Sequence, residues 1–122
     1  MLKEFESLLE GLGLAYFIGG SPLDRDLNRI NENGANVVVA TPGRFFDLID
    51  THKALDLSTG ELFVMDEADK ILEQEGESSA KLTSIILSLP KQRRTGLFSA
   101  TMPSSLKRLV KTGMRNPFYV DI

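Results

Sequence analysis

Hydrophobic residues along the chain alternate between a helical period and short apolar runs typical of buried strands. The short apolar runs predict strands at residues 15–18, 36–40, 62–65, 95–98 and 118–120. The segments with a helical period predict helices at residues 2–12, 22–33, 42–49, 68–72, 82–89 and 104–114. Ser21-Pro22 and Thr41-Pro42 each place a capping residue before a proline, a combination that favours the first turn of a helix.

The predicted strands are apolar throughout, and nearly all of them are followed by a helix. This order is typical of an α/β fold in which a parallel sheet is covered by helices on both faces. Functional groups in such sheets lie just beyond the carboxyl ends of the strands. The positions of interest are therefore residues 19–20, 41–44, 66–69 and 99–101.

Composition narrows the chemistry. The 122 residues include no cysteine and one histidine, His52, which excludes disulfides, thiol nucleophiles and multi-histidine metal centres. No apolar run is long enough to cross a bilayer, and the acidic start does not match a targeting peptide. We expect one soluble domain in a reducing compartment, with His52 at a solvated helix end.

Charge is distributed unevenly along the chain. Residues 1–77 hold 6 basic and 16 acidic side chains, whereas residues 78–122 hold 8 basic and 1 acidic. A one-sided positive field suits a protein that contacts phosphates. A solvated basic helix face is an equally weighted interpretation.

The tetrapeptide Asp66-Glu67-Ala68-Asp69 directly follows a predicted strand. Three carboxylates at a strand end form an oxygen-rich site suited to hydrated Mg²⁺, and a second carboxylate beside the metal ligand can activate a water. Acidic residues also favour the first turn of a helix for dipole reasons, but the pattern favours function.

Three further motifs stand at strand ends. Ser99-Ala100-Thr101 offers two hydroxyls to a neighbouring carboxylate, although helix capping explains them equally simply. Thr41-Pro42-Gly43-Arg44 can present a hydroxyl, an amide and a guanidinium to a phosphate. The alternative interpretation is a helix that merely begins at a proline. Gly19-Gly20 allows a ligand to approach the backbone closely, although the two glycines are explained equally well by a turn.

Together, and in this order, these motifs resemble the first RecA-like domain of the DEAD-box RNA helicases. The resemblance covers residues 1–122 and includes the D-E-A-D, S-A-T, T-P-G-R and G-G motifs. It implies a RecA-like fold of the P-loop NTPase type and an ATP-dependent RNA helicase that unwinds or remodels RNA. Residues 89–101 further resemble members that act in large ribosomal subunit assembly.

The resemblance also implies roles for individual residues. Asp66 holds Mg²⁺ through water beside the phosphates of ATP, and Glu67 orients and deprotonates the attacking water. Asp69 bonds to Ser99 and Thr101 and links the state of ATP to the grip on RNA. A further set holds the sugar–phosphate backbone of single-stranded RNA: Gly19, Gly20, Thr41, Pro42, Gly43 and Arg44.

Two features of the family pattern do not occur in the 122 residues. No G-x-x-x-x-G-K-[ST] loop occurs among them, and the second RecA-like domain is also absent. We therefore expect a partial domain that is inactive by itself. The resemblance places the phosphate-loop strand between the Asp66 strand and the Ser99 strand, so we expect a gap or a re-paired sheet there, with unpaired edges that promote self-association.

Two other classes remain as alternatives. A non-catalytic RNA- or protein-binding module of the same fold carries the same motifs without turnover. A receiver-like phospho-acceptor domain is remote, because the first strand ends in Gly19-Gly20 rather than in an acidic pair. For location, the resemblance implies the nucleus or nucleolus of a eukaryote, or otherwise the cytoplasm.

Overall fold

The structure is a computed structural model that describes residues 11–73 and 77–121, without the side chains of residues 77 and 78. The chain divides into two compact units, Met1–Asp56 and Leu57–Ile122, which we call unit 1 and unit 2. In the described part of the chain, no helix has the length and apolar character needed to span a membrane. The predicted helix at residues 2–12 lies almost entirely outside the described residues.

Unit 1 contains one short parallel sheet with helices between and after its strands. Its elements are β1 (Leu14–Phe17), α1 (Leu23–Asn33), β2 (Val37–Ala40), α2 (Pro42–Phe46) and a π-helical segment (Asp47–Thr51). β1 and β2 pair in parallel, with Leu14 opposite Val37 and Phe17 opposite Ala40. This register brings the carboxyl ends of both strands to one edge, where the G-G and T-P-G-R motifs follow.

The core of unit 1 lies on one face of β1. Ala15, Phe17 and Leu48 are buried, and the apolar residues of α1 pack against them. α1 ends as predicted at Asn33, because Gly34 adopts a φ of 63° and its amide donates to the Ile30 carbonyl at 2.9 Å.

Unit 2 contains a second parallel pair of strands. Its elements are β3 (Leu62–Met65), α3 (Ala68–Glu73), α4 (Glu77–Ser88), β4 (Arg94–Leu97) and α5 (Ser104–Gly113). β3 and β4 hydrogen-bond directly, with Leu62 opposite Arg94 and Met65 opposite Leu97. Of the two expected outcomes between the Asp66 and Ser99 strands, the gap is therefore wrong, and the direct pairing agrees with the alternative of a sheet in which these strands are neighbours.

Helices cover one face of β3. Met65 packs with Ala68, Leu72, Leu82, Leu106 and Leu109 in the core of unit 2. Leu62 and Val64, which point the other way, are 66% and 52% exposed. The expected covering of both sheet faces is thus not seen at β3 within the described residues.

Arg93 ties two helix ends of unit 2 together. Its guanidinium donates to the carbonyl of Pro90, just beyond α4, at 2.8 Å and to that of Gly113, the last residue of α5, at 3.2 Å. A cation at helix C-termini complements the partial negative charge of their carbonyl groups. This contact joins the carboxyl ends of α4 and α5.

Two local predictions are wrong. Residues 118–120 form no strand; Phe118 is 89% exposed, and no described strand lies beside this segment to accept its backbone hydrogen bonds. Ser21 does not cap α1, because its hydroxyl donates to the Ile18 carbonyl at 3.1 Å and Pro22 occupies the N-cap position.

Candidate functional sites

The loops that follow β3 and β4 lie side by side in unit 2. The Phe98 amide donates to the Met65 carbonyl at 2.9 Å, and the Ala68 amide donates to the Phe98 carbonyl at 3.1 Å. These bonds continue the parallel pairing one step beyond the strands. They bring residues 66–69 next to residues 99–101, as expected for a site at the carboxyl edge of a sheet.

Asp69 is the centre of this site. Its residue is 5% exposed, and one carboxylate oxygen accepts the Thr101 hydroxyl at 2.7 Å and the Thr101 amide at 3.0 Å. The other oxygen accepts the Lys70 amide at 2.9 Å. The carboxylate therefore joins the start of α3 to the S-A-T loop, and we call these contacts the Asp69–Thr101 clasp.

Hydrogen bonding favours the ionised form of Asp69. The Thr101 hydroxyl makes the largest contribution, and it holds the pKa of Asp69 below its ordinary value together with the surrounding amide donors. Burial opposes this effect but does not outweigh it. Asp69 is thus ionised at neutral pH, with hydrogen-bond donors stabilising its charge.

Ser99 extends the clasp by a second route. Its hydroxyl oxygen accepts the Asp69 amide at 3.2 Å, and the same hydroxyl donates to the Thr101 carbonyl at 2.8 Å. The Ser99 hydroxyl therefore bonds to the backbone of Asp69 and of Thr101, and the Thr101 hydroxyl bonds to the Asp69 carboxylate. Neither one caps α5, whose N-cap position is Pro103.

Asp66 and Glu67 are exposed at the same edge. The Glu67 amide donates to an Asp66 carboxylate oxygen at 2.9 Å, and Glu67 adopts a φ of 48°. Glutamate rarely adopts this left-handed conformation, which costs about 1–2 kcal/mol. The Glu67 carboxylate accepts the Lys70 ammonium at 2.9 Å, which raises the pKa of Lys70.

The three carboxylates do not converge on one point. Asp69 faces Thr101, Glu67 pairs with Lys70, and among the described residues no three acidic or histidine side chains are grouped as metal ligands. The three carboxylates thus take separate positions, and the expected role of Asp66 in holding Mg²⁺ stays a prediction. Asp66 remains as a single exposed oxygen ligand, which suits an ion that keeps most of its water.

In unit 1, the G-G and T-P-G-R motifs come together at the ends of β1 and β2. The Thr41 amide donates to the Phe17 carbonyl at 3.2 Å, and Pro42 is the first residue of α2. Gly20 has a φ of 91°, a conformation that favours glycine, and open space surrounds Gly19, Gly20 and Gly43 where a side chain would begin. The two loops thus present accessible backbone at one edge.

Arg44 is turned inward rather than toward solvent. Its guanidinium donates to the Ser21 carbonyl and lies 3.5 Å from an Asp26 carboxylate oxygen, and the two charged side chains are 11% and 8% exposed. These contacts tie α2 to the turn after Gly19-Gly20. Arg44 holds the two loops together in this structure.

Sequence reasoning missed two residues of these sites. Lys70 lies three positions after Glu67, a spacing that favours an ion pair on a helix and could have indicated the contact. Asp26 carries no local signal, because its partner Arg44 lies in a different motif of the sequence. Its burial, at 6% exposure, becomes evident from the folded chain alone.

We expect Thr101→Val to lower the stability of unit 2 in a pH-dependent way. The pKa of Asp69 is lowered in the folded state, so the hydrogen bond from the Thr101 hydroxyl contributes most to stability when Asp69 is ionised. This contribution is fully present above about pH 4 and is lost as the pH falls through the pKa of Asp69 in the folded protein. The urea midpoint of Thr101→Val should lie below that of the wild type at pH 7, and the difference should shrink as the pH falls further below about 4. Thr112→Val is the matched control.

The Thr112 hydroxyl donates to the carbonyls of Arg108 and Leu109 and faces no carboxylate. Its loss should shift the urea midpoint equally at both pH values. A Thr101→Val difference that does not shrink at any pH below about 4 contradicts the role of the ionised Asp69 in the clasp.

Comparison with known proteins identifies the class to which this fold and these motifs belong. The family model of the DEAD/DEAH box helicases matches residues 1–109. The chain therefore belongs to the DEAD/DEAH box helicase family. Its RecA-like fold is confirmed by a crystal structure of a DEAD box protein from the hyperthermophile Methanococcus jannaschii, with a TM-score of 0.81 and 33% identity over 94% of this chain and 31% of that chain.

Two relatives show how far the match extends in longer proteins. DEAD-box ATP-dependent RNA helicase 18 of Oryza sativa subsp. japonica is 40% identical over 98% of this chain and 18% of its own length. ATP-dependent RNA helicase DDX55 of Homo sapiens is 41% identical over 100% of this chain and 21% of its own length. The chain thus spans about a fifth of the relatives that it matches.

Proposed function

We propose that this chain forms part of the ATP-binding domain of an ATP-dependent RNA helicase that couples ATP hydrolysis to the remodelling of RNA. The observation that carries this proposal is the Asp69–Thr101 clasp beside the exposed Asp66-Glu67 pair. The clasp joins an acidic loop suited to phosphate chemistry to a second loop. A pure capping role for Thr101 does not account for this contact.

Asp66 is the residue proposed to hold Mg²⁺, through water. Its exposed carboxylate is an oxygen donor of the kind that hydrated Mg²⁺ prefers, and such ions are typically shared with substrate phosphates. When bound, Mg²⁺ and ATP supply a phosphoryl group whose negative charge is partly neutralised. The amide of Glu67 keeps one Asp66 oxygen oriented.

Glu67 is proposed to orient and deprotonate the attacking water. Its backbone is left-handed, its amide donates to Asp66, and its exposed carboxylate accepts a hydrogen bond from Lys70. Strained backbone at a polar strand end is a feature of functional sites. Lys70 limits the freedom of the carboxylate before substrate binds.

The Asp69–Thr101 clasp is proposed to transmit the state of ATP to the S-A-T loop. Asp69 is two residues from Glu67, and its carboxylate binds a hydroxyl and an amide of Thr101. A displacement of the loop that follows β3 therefore pulls on the loop that follows β4. This is a direct mechanical link within unit 2.

The G-G and T-P-G-R loops of unit 1 are proposed to bind the sugar–phosphate backbone of single-stranded RNA. The open space at Gly19, Gly20 and Gly43 permits close backbone approach. Arg44 contributes mainly by positioning, because its guanidinium is engaged with Asp26 and Ser21. Contacts to phosphates without base contacts give sequence-independent binding.

The family membership supports further proposals at the level of the whole protein. The proposed partners of the whole protein are RNA, ATP and a second RecA-like domain. The resemblance of residues 89–101 supports a role in ribosome biogenesis in the nucleolus. Self-association through unpaired strand edges stays a prediction. A non-catalytic RNA- or protein-binding role is the alternative for the 122 residues by themselves, since they contain no G-x-x-x-x-G-K-[ST] loop.

A chimera tests the proposal. The 122 residues replace the matching segment of the human relative, and RNA-stimulated ATP hydrolysis is measured for the chimera and for the isolated chain. We expect turnover in the chimera and none above background in the isolated chain. A folded chimera that binds RNA but does not hydrolyse ATP contradicts the catalytic role and favours the binding module.

A further inference from the structure

The outer face of α5 carries a row of positive charge. Leu106, Leu109 and Val110 are buried against unit 2, whereas Lys107, Arg108 and Lys111 are exposed. At 100° per residue these three cations share one side of the helix, and Lys107 and Lys111 lie about 6 Å apart along its axis. We call Lys107, Arg108 and Lys111 the cationic stripe.

Helix stability does not explain the cationic stripe. Lys107 and Lys111 are four residues apart and Arg108 and Lys111 are three apart, and like charges at these spacings destabilise a helix. Lys107 also lies in the first turn, where the helix dipole disfavours a cation. Lys111 alone benefits from the dipole, in the last turn.

No acidic side chain of the described residues neutralises the stripe. Residues 78–120 contain no Asp or Glu, and none of the three cations forms an ion pair with a described residue. The exposed lysines Lys53 and Lys70 differ in this respect, because each pairs with an acid three residues earlier. The stripe is therefore free to bind an external anion.

The chemistry of this face favours phosphates over a folded protein surface. All exposed residues of α5 are polar or charged: Ser104, Lys107, Arg108, Lys111 and Thr112. The centres of protein–protein interfaces are enriched in aromatic residues and methionine and depleted in lysine. A lysine-rich face without an apolar anchor is typical of sequence-independent contact with a nucleic-acid backbone.

We propose that the cationic stripe binds the phosphate backbone of single-stranded RNA, as a contact additional to the G-G and T-P-G-R loops. This inference takes RNA as the ligand from the proposed function but does not depend on ATP hydrolysis. Lysine and arginine side chains release counterions when they neutralise phosphates, so binding weakens steeply with salt. The stripe adds up to three such contacts.

The test measures binding of the chain to a fluorescein-labelled oligouridylate of about 15 nucleotides by anisotropy across a salt series. The stripe variant carries Lys107→Gln, Arg108→Gln and Lys111→Gln. The matched control carries Lys53→Gln, Lys91→Gln and Arg94→Gln, three exposed cations outside the stripe, with the same change in net charge. Thermal unfolding by circular dichroism verifies that both variants are folded.

We expect the slope of log K against log salt to become shallower by about 2 in the stripe variant, because each single-strand phosphate contact contributes about 0.7. The control variant should keep most of the wild-type slope. The thermal midpoint of the stripe variant should not fall below that of the wild type, because the substitutions remove like-charge repulsion. No such gain in stability is expected for the control variant. If the triple variant does not fold, Lys111→Gln alone should reduce the slope by about 0.7.

Three results overturn the inference. Equal slopes in the two triple variants show that bulk charge alone matters. Absence of RNA binding by the wild-type chain at low salt removes the stripe as an RNA contact. Loss of poly-glutamate binding in the stripe variant, with RNA binding unchanged, assigns the face to an acidic protein. Failure of ATP hydrolysis in the chimera affects none of these readouts, so the two proposals fail separately.

Discussion

Glu67→Gln in the chimera should lower kcat for RNA-stimulated ATP hydrolysis about 100-fold or more, because a general base contributes about 10²–10⁴ to rate. Glutamine keeps the size and the polar character of the side chain but cannot take the proton of the attacking water. Affinity for ATP should change little, since the residue proposed to hold Mg²⁺ beside the phosphates is Asp66 and not Glu67. Steady-state hydrolysis and nucleotide binding are measured on the same preparations.

Glu73→Gln provides the matched control. Glu73 is an exposed glutamate at the end of α3, and the substitution removes the same charge. Its kcat should stay within about twofold of that of the parent chimera, as expected for a surface residue away from the site. Equal rates for the two variants would mean that Glu67 is not the base.

Leu106→Ala should lower the free energy of unfolding of unit 2 by about 2–5 kcal/mol, the usual cost of a large-to-small change in a core. Leu106 is fully buried at 0% exposure, where it packs with Met65, Ala68 and Leu72. The same side chain connects α5 to the start of α3, which carries Asp69. Urea unfolding of the 122-residue chain followed by circular dichroism measures the change.

Leu87→Ala is the control for this change. Leu87 lies on α4 and is 79% exposed, so its truncation should alter stability by about 0.5 kcal/mol at most. Similar losses for the two leucines are incompatible with a core centred on Leu106. A loss at Leu106 that leaves unit 1 folded agrees with the division of the chain into two units.

Local sequence signals predicted the elements well where the cause is local. The helix end at Asn33 follows from the positive φ that Gly34 adopts, and the start of α2 follows from Pro42. The apolar run at residues 62–65 became β3 as expected. The similar run at residues 118–120 did not become a strand, because a strand also needs a neighbour that no local pattern supplies.

The contacts within the sites depended on partners far apart in the sequence. Asp69 and Thr101 are 32 residues apart, and the direct pairing of β3 with β4 brings them together. Local spacing alone groups Asp69 with Asp66 and Glu67, and only the family resemblance implied its contact with Ser99 and Thr101. In the structure its carboxylate accepts hydrogen bonds from the hydroxyl and the amide of Thr101, which stabilise the buried anion.

The sequence by itself thus determined the family, the order of most strands and helices, and which short motifs stand at strand ends, because these depend on residue identity and local spacing. The resemblance also implied that Asp69 contacts Ser99 and Thr101, as the structure shows. Only the tertiary structure revealed the other contacts: it paired Arg44 with Asp26 and aligned α5 so that its cations face outward. Strand register and packing set these partners, and both are properties of the folded chain.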